Sequence, residues 1–145
     1  MSQRIPAIAQ VIAIHAAAAT TQTDNFTLQA NDYDSIAIEV TCSAASGTSP
    51  TLDVYVQCQD SQGNWRDVVH MGQVTAVLTN PLYAEVSSGD SERYIGAVGS
   101  ATVAAGSLGV PILNNNLRVY SVIGGTTPSF TYTVTAYICN QSPRS

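Results

Sequence analysis

Two stretches of the chain carry the same device. SIAIEVTCSAASGTSPTLDVYVQ at 35–57 and NLRVYSVIGGTTPSFTYTVTAYI at 116–138 each set a Gly-Thr-Ser/Thr-Pro segment between two β-rich runs. After Pro128 the residues alternate, with Phe130, Tyr132, Val134, Ala136 and Ile138 on one face and Ser129, Thr131, Thr133 and Thr135 on the other. Leu52, Val54, Val56 and Cys58 share a face in the earlier copy, opposite Thr51, Asp53, Tyr55 and Gln57. A period of two means strand. Gly47 and Gly125 can supply positive φ, and Pro50 and Pro128 sit where a ladder donor can be spared. The sequence therefore predicts two β-hairpins in an antiparallel sheet.

A chain of 145 residues suits one core. Charged residues make up 10% of it, against about 25% in an ordinary domain. Lysine is absent, and the five arginines, Arg4, Arg66, Arg93, Arg118 and Arg144, are scattered. With a net charge of −5, clustered cations for nucleic acid or anionic membranes are missing. No nucleic-acid or membrane partner is expected. A weakly charged Thr/Ser/Asn/Gln surface offers little repulsion against a neighbour, which fits either a component of an assembly or simply a polar β domain.

The three cysteines, Cys42, Cys58 and Cys139, lack metal-ligand spacing. Cys42 and Cys58 continue apolar faces and are read as core thiols, with a disulfide between hairpin partners as the alternative. Residues 1–20 imitate a secretory signal, but Pro6, Gln10 and His15 interrupt the run and it is too short to span a bilayer. They are read as an N-terminal arm or first strand, with residues 21–145 as a single domain. Asn31-Asp32-Tyr33-Asp34 lacks the ligand pattern of a calcium loop and reads as a turn. Short strands are expected near Asn25–Leu28, Trp65–Val69, Gln73–Leu78, Arg93–Val98 and Ala101–Ala104. Trp65 is expected to cap the core, and His70, with no acid or nucleophile beside it in sequence, to lie at a surface or edge. The glycine-spaced excursion at 84–115 reads as a contact loop without a phosphate-binding lysine.

Gly47-Thr48-Ser49-Pro50-Thr51-Leu52-Asp53-Val54, Asp60-Ser61-Gln62-Gly63-Asn64-Trp65, Leu117-Arg118-Val119 and Gly124-Gly125-Thr126-Thr127-Pro128-Ser129-Phe130 together resemble small β-sandwich virion proteins of tailed bacteriophages. The resemblance lies in residues 34–70 and 116–138. It implies a structural protein of the particle, such as a capsid decoration (cement) protein or a head, neck or tail accessory. The Ala/Ile-rich N-terminus and the 84–115 excursion depart from the simplest members.

The expected fold is an all-β antiparallel β-sandwich, jelly-roll-like, of about eight short strands. The expected partners are a major capsid protein or other virion protein and further copies of the chain, with the trimer resting on resemblance alone. The expected place is the outer surface of a virion assembled in the host cytoplasm. Ile5, Ile8, Val11, Ile12, Val103, Leu108 and Ile112 are the expected contact residues, because they are apolar and lie outside the two hairpins. No cofactor, metal or catalytic residue is expected. Two rivals remain: a carbohydrate-binding or adhesin module using the outward tyrosines Tyr55, Tyr120 and Tyr137, and an enzyme, for which seven aspartates, three glutamates and two histidines form no motif.

Overall fold

The computed structural model describes residues 4–27, 35–87, 104–109 and 115–141. Among these there are seven strands and no helix: β1 (Arg4–Ala18), β2 (Gln22–Thr27), β3 (Ser35–Gln59), β4 (Trp65–His70), β5 (Leu82–Ser87), β6 (Ser107–Leu108) and β7 (Asn116–Gln141). They form one sheet in the order β1-β7-β3-β4-β6, with β2 also on β7 and β5 also on β3. Every pairing is antiparallel.

The two expected hairpins do not form. β3 and β7 are 25 and 26 residues long, and they pair with each other from Ser35↔Cys139 to Cys58↔Leu117. Neither run folds back at its Gly-Thr-Ser/Thr-Pro segment. Instead the two segments meet, with Thr48 opposite Thr126 and register shifts between Ser46 and Thr48 and between Thr48 and Thr51. Positive φ at Gly47 (114°), Ser49 (48°), Gly125 (110°) and Thr127 (46°) bends both strands without reversing either, as bulges do. The approach is close and reciprocal. A Cβ on Gly47 would lie 2.7 Å from the Thr127 carbonyl oxygen, and one on Gly125 would lie 2.7 Å from that of Ser49. Glycine is required at both positions by space as well as by φ. The same turn chemistry that favours a hairpin thus serves a crossing of two long strands, which replaces the expected set of about eight short ones.

The crossing divides the sheet into two arms. In the first, β1 and β5 flank the C-terminal half of β7 and the N-terminal half of β3. In the second, β2, the N-terminal half of β7, the C-terminal half of β3, β4 and β6 lie side by side. The expected strand at Gln73–Leu78 reduces to one bridge, Leu52↔Val74. The strand expected at Arg93–Val98 lies outside the described residues, as do residues 101–103 of the next one, and Ala104 is not in a strand.

Alternation places the core as expected. Ile36, Ile38, Val40, Phe130, Tyr132, Val134, Ala136 and Ile138 are buried in the first arm, and Leu52, Val54, Val56, Leu117 and Val119 in the second; all belong to one cluster. Burial of such side chains contributes roughly 1.5–3 kcal/mol each. Cys42 and Cys58 are buried thiols outside any disulfide, but they are not hairpin partners. Cys42 stands opposite Tyr132 and Cys58 opposite Leu117, on different arms.

Candidate functional site

The first arm turns an apolar face outward. On β1 a register shift between Val11 and Ala13 lets both Ile12 and Ala13 be buried, while Val11 and Ile14 stay 59% and 73% exposed. Val11 stands opposite Thr135 and Ile14 opposite Thr133. These continue across the sheet to Glu39 and Thr41 on β3, and from Glu39 to Tyr83 on β5. Tyr83 is 65% exposed. Its hydroxyl donates to one Glu39 carboxylate oxygen at 2.5 Å, and the Tyr137 hydroxyl donates to the other at 3.3 Å. Both phenols have raised pKa values: in Tyr83 the hydrogen bond to Glu39 is the main cause, in Tyr137 burial. No cation is paired with Glu39 among the described residues. An acid bracketed by two phenols thus sits within an aliphatic and threonine-rich surface.

The second arm is polar and aromatic on the corresponding side. Tyr120, Tyr55 and His70 follow one another across β7, β3 and β4. Tyr55 and His70 stack with centroids 3.9 Å apart, and Tyr55 and Tyr120 tilt together at 6.2 Å. His70 Nε2 lies 2.9 Å from Asp53 Oδ1, and Gln73 Nε2 donates to Asp53 Oδ2 at 2.9 Å. In the neighbouring row Arg118 Nε donates to Gln57 Oε1, and Gln57 Nε2 donates to Asp67 Oδ1, both at 2.6 Å. A register shift between Val56 and Gln57 accommodates this: Val68 and Val69 are both buried in the core cluster, while Asp67 and His70 meet Gln57 and Tyr55. The Arg118 guanidinium lies 4.5 Å from the Trp65 ring centroid and 5.2 Å from that of Tyr120. Burial lowers the Arg118 pKa, opposed by Tyr120 and Asp67. Gln57, Asp67, His70 and Tyr55 are all buried, so each of these polar groups needs its partner.

Two features tie the arms together. His15 on β1 lies 2.7 Å from Asp24 on β2, with its ring 5.3 Å from that of Tyr132. The Tyr132 and Ser121 hydroxyls are both buried without a completed hydrogen bond, although Ser121 is near enough to act on the phenol. Burial nevertheless dominates and pushes the Tyr132 pKa up to about 12.

Of the expected contact residues, Val11 and Leu108 are exposed, whereas Ile12 is in the core at 8% exposure. Val11 and Ile12 are neighbours on one strand, so with Val11 outward Ile12 turns inward, and the bulge adds Ala13 to the core beside it. Val103 and Ile112 lie outside the described residues, as do the side chains of Ile5 and Ile8. Leu108 is not on the face of Val11. With His70, Met71, Tyr83 and Glu85 it lines a cleft of about 270 Å³ that shares Tyr83 with the first-arm face. His70 is not a surface or edge histidine: it is 5% exposed, and the acid that sequence adjacency did not reveal is Asp53, brought over by the β3–β4 pairing. Trp65 does not cap the core but lies under Arg118 on the polar side. Tyr55 shares the polar side as parity indicates, yet it is buried.

Sequence reasoning missed Ile14, the Glu39–Tyr83 pair and the Arg118–Trp65 stack. Parity could place Tyr55, Asp53 and Gln57 on one side, but only strand register shows what they meet. Among the described residues no group of three or more His, Cys, Asp or Glu could hold a metal ion, and no helix is long and apolar enough to cross a membrane. No protein-family model matches the chain, and no curated protein matches it in sequence.

Proposed function

We propose that this chain is a non-enzymatic structural protein of a bacteriophage particle, a decoration protein that stabilises the shell through many repeated protein contacts. The observation that carries the reading is the outward face of the first arm. Val11, Ile14 and Tyr83 are large apolar residues left exposed beside an acid with no cation among the described residues, in a chain with few charges to keep neighbours apart. Such surface is characteristic of interaction sites. Repetition by symmetry turns weak contacts into stable attachment, and binding only the assembled shell shifts the equilibrium away from disassembly. The acidic, lysine-free composition favours the outer surface of the particle over its DNA-filled lumen. The partners in this reading are a major capsid protein and further copies of the chain.

The finer fold in this proposal is a sandwich of the jelly-roll kind, the two arms lying face to face. It is supported by the single buried cluster to which both arms contribute and by the His15–Asp24 contact between β1 and β2. The test of function is the copy number of the chain in purified particles relative to the most abundant shell protein. A simple ratio to that protein is expected. A handful of copies per particle moves the chain to the neck or tail, and complete absence from particles overturns the virion reading.

A further inference from the structure

Glu39 and Arg118 are both held in place by aromatic side chains on the side of the sheet away from the core, one on each arm. Glu39 takes a phenol hydroxyl on each carboxylate oxygen and keeps further lone pairs for another donor. Arg118 is fixed through Nε to Gln57 and lies over Trp65 and Tyr120. That leaves its two terminal amino groups, the fork that matches a carboxylate in bidentate geometry. Arg66, by contrast, is already paired with Asp60 at 3.1 Å. Arg118 and Glu39 stand on different arms of the sheet, and no ion pair joins them among the described residues.

We infer that copies of this chain associate head to tail, the first-arm face of one copy docking on the Arg118–Trp65–Tyr120 surface of the next, with Glu39 receiving the Arg118 fork. A two-fold contact between first-arm faces centred on the Glu39 row would set Glu39 and Glu85 near their own counterparts, which like charges disfavour. The head-to-tail contact instead joins opposite charges in an aromatic setting, with Val11, Ile14 and Tyr83 supplying apolar area. Arg, Trp and Tyr are the residues that most often dominate interface energetics. A heterologous contact of this kind closes into a ring or continues as a filament according to its rotation. The inference deepens the self-association part of the proposed function and does not depend on attachment to a particle.

The test is sedimentation velocity of the full chain over a concentration series, with folding monitored by circular dichroism. The wild type is expected to associate. Glu39→Arg and Arg118→Glu should each weaken association by at least about tenfold, since each places like charges in the contact. The double variant carrying both substitutions should recover it to within a few-fold. Ile14→Asp, at an exposed position that leaves the Arg118 network intact, should dissociate the assembly as well and serves if Arg118→Glu fails to fold. A wild type that stays monomeric throughout, or association that survives both Glu39→Arg and Ile14→Asp, overturns the inference. Particle copy number is a separate measurement, so failure here leaves the virion reading to its own test.

Discussion

The outer side of the first arm can lose its polar groups at little cost, whereas that of the second arm cannot. In the first arm Glu39, Thr133 and Tyr83 face solvent or stand at its margin, so water can replace any partner that is removed. In the second, Gln57, Asp67 and His70 are buried and are satisfied by one another, by Arg118 and by Asp53. Removing one partner from a buried network leaves the others desolvated without compensation. The lesson is that the same residue classes on strands of one sheet are replaceable by water where they are exposed and hold the fold where they are enclosed. The crossing at Gly47 and Gly125 is what makes the two arms one body.

The largest expected effect comes from breaking that junction. Gly47→Ala adds a Cβ that meets the Thr127 carbonyl oxygen at 2.7 Å and Pro128 Cα at 2.9 Å, at a φ of +114°, and should cost about 3 kcal/mol. Gly106→Ala is the control: its φ is +76° with nothing within 4 Å, so only the backbone cost of about 1 kcal/mol applies. Urea denaturation measures both. Following Trp65 fluorescence for the second arm and tyrosine near-ultraviolet dichroism for the whole chain should give coincident transitions. Separate transitions would show that the arms unfold independently.

A direct comparison of the arms gives the next largest effect. Gln57→Leu removes the bridge between Arg118 and Asp67 and should destabilise by roughly 2–3 kcal/mol, the cost of uncompensated buried polar groups. Thr133→Val, on the matching side of the first arm and at its solvent margin, should stay within about 0.5 kcal/mol. Equal losses from the two substitutions in chemical denaturation would erase the distinction drawn between the arms.

Period-two alternation made the buried faces of 52–58 and 130–138 legible in the sequence, because the extra residues of the register shifts fall in the partner strands and not in these segments. It could not place Ile12, because both faces of the β1 run are apolar, and the bulge that buries Ala13 beside it leaves no mark in a run made almost wholly of Ala, Ile and Val. It failed at the Gly-Thr-Ser/Thr-Pro segments for a different reason. Positive φ followed by proline specifies a bend, but whether the chain then reverses depends on which strand lies alongside, and that is set by pairing between residues far apart in sequence, such as Thr48 and Thr126. The Asp53–His70 and Arg118–Gln57–Asp67 contacts were hidden for the same reason: their members are ordinary residues until register brings them together.

Tyr132 probes the space between the arms through pH. Its phenol is raised from 10 to about 12 by burial, so the native state holds the proton more tightly than the unfolded chain does. Its contribution is complete below pH 10 and is lost as pH rises from 10 to 12, amounting to about 3 kcal/mol. Tyr132→Phe should flatten that part of the stability–pH curve relative to wild type. It also removes a buried hydroxyl that lacks a hydrogen bond, so stability at neutral pH should be little changed. A variant whose alkaline loss matches that of wild type would mean that the phenol ionises without unfolding pressure, in an environment more open to water than that of the core.

The smallest effect, and the sharpest on the first arm, is a titration. Glu39→Gln removes the charge that both surface phenols face but keeps a side chain able to accept a hydrogen bond, so the folded state should be unaffected in denaturation. Tyr83 owes its raised pKa first to the hydrogen bond with Glu39 and then to burial and the acid's charge, whereas Tyr137 owes its own first to burial. The two phenols should therefore respond unequally to the same substitution. In NMR titrations with tyrosine ring labels the Tyr83 midpoint should fall further than that of Tyr137, which should stay above the ordinary phenol value. A larger fall at Tyr137 would mean that it, not Tyr83, is the principal donor to Glu39. The carboxylate would then lean toward β7 and away from β5, and the proposed docking surface would have to be re-centred on Val11 and Thr135 instead of on Tyr83.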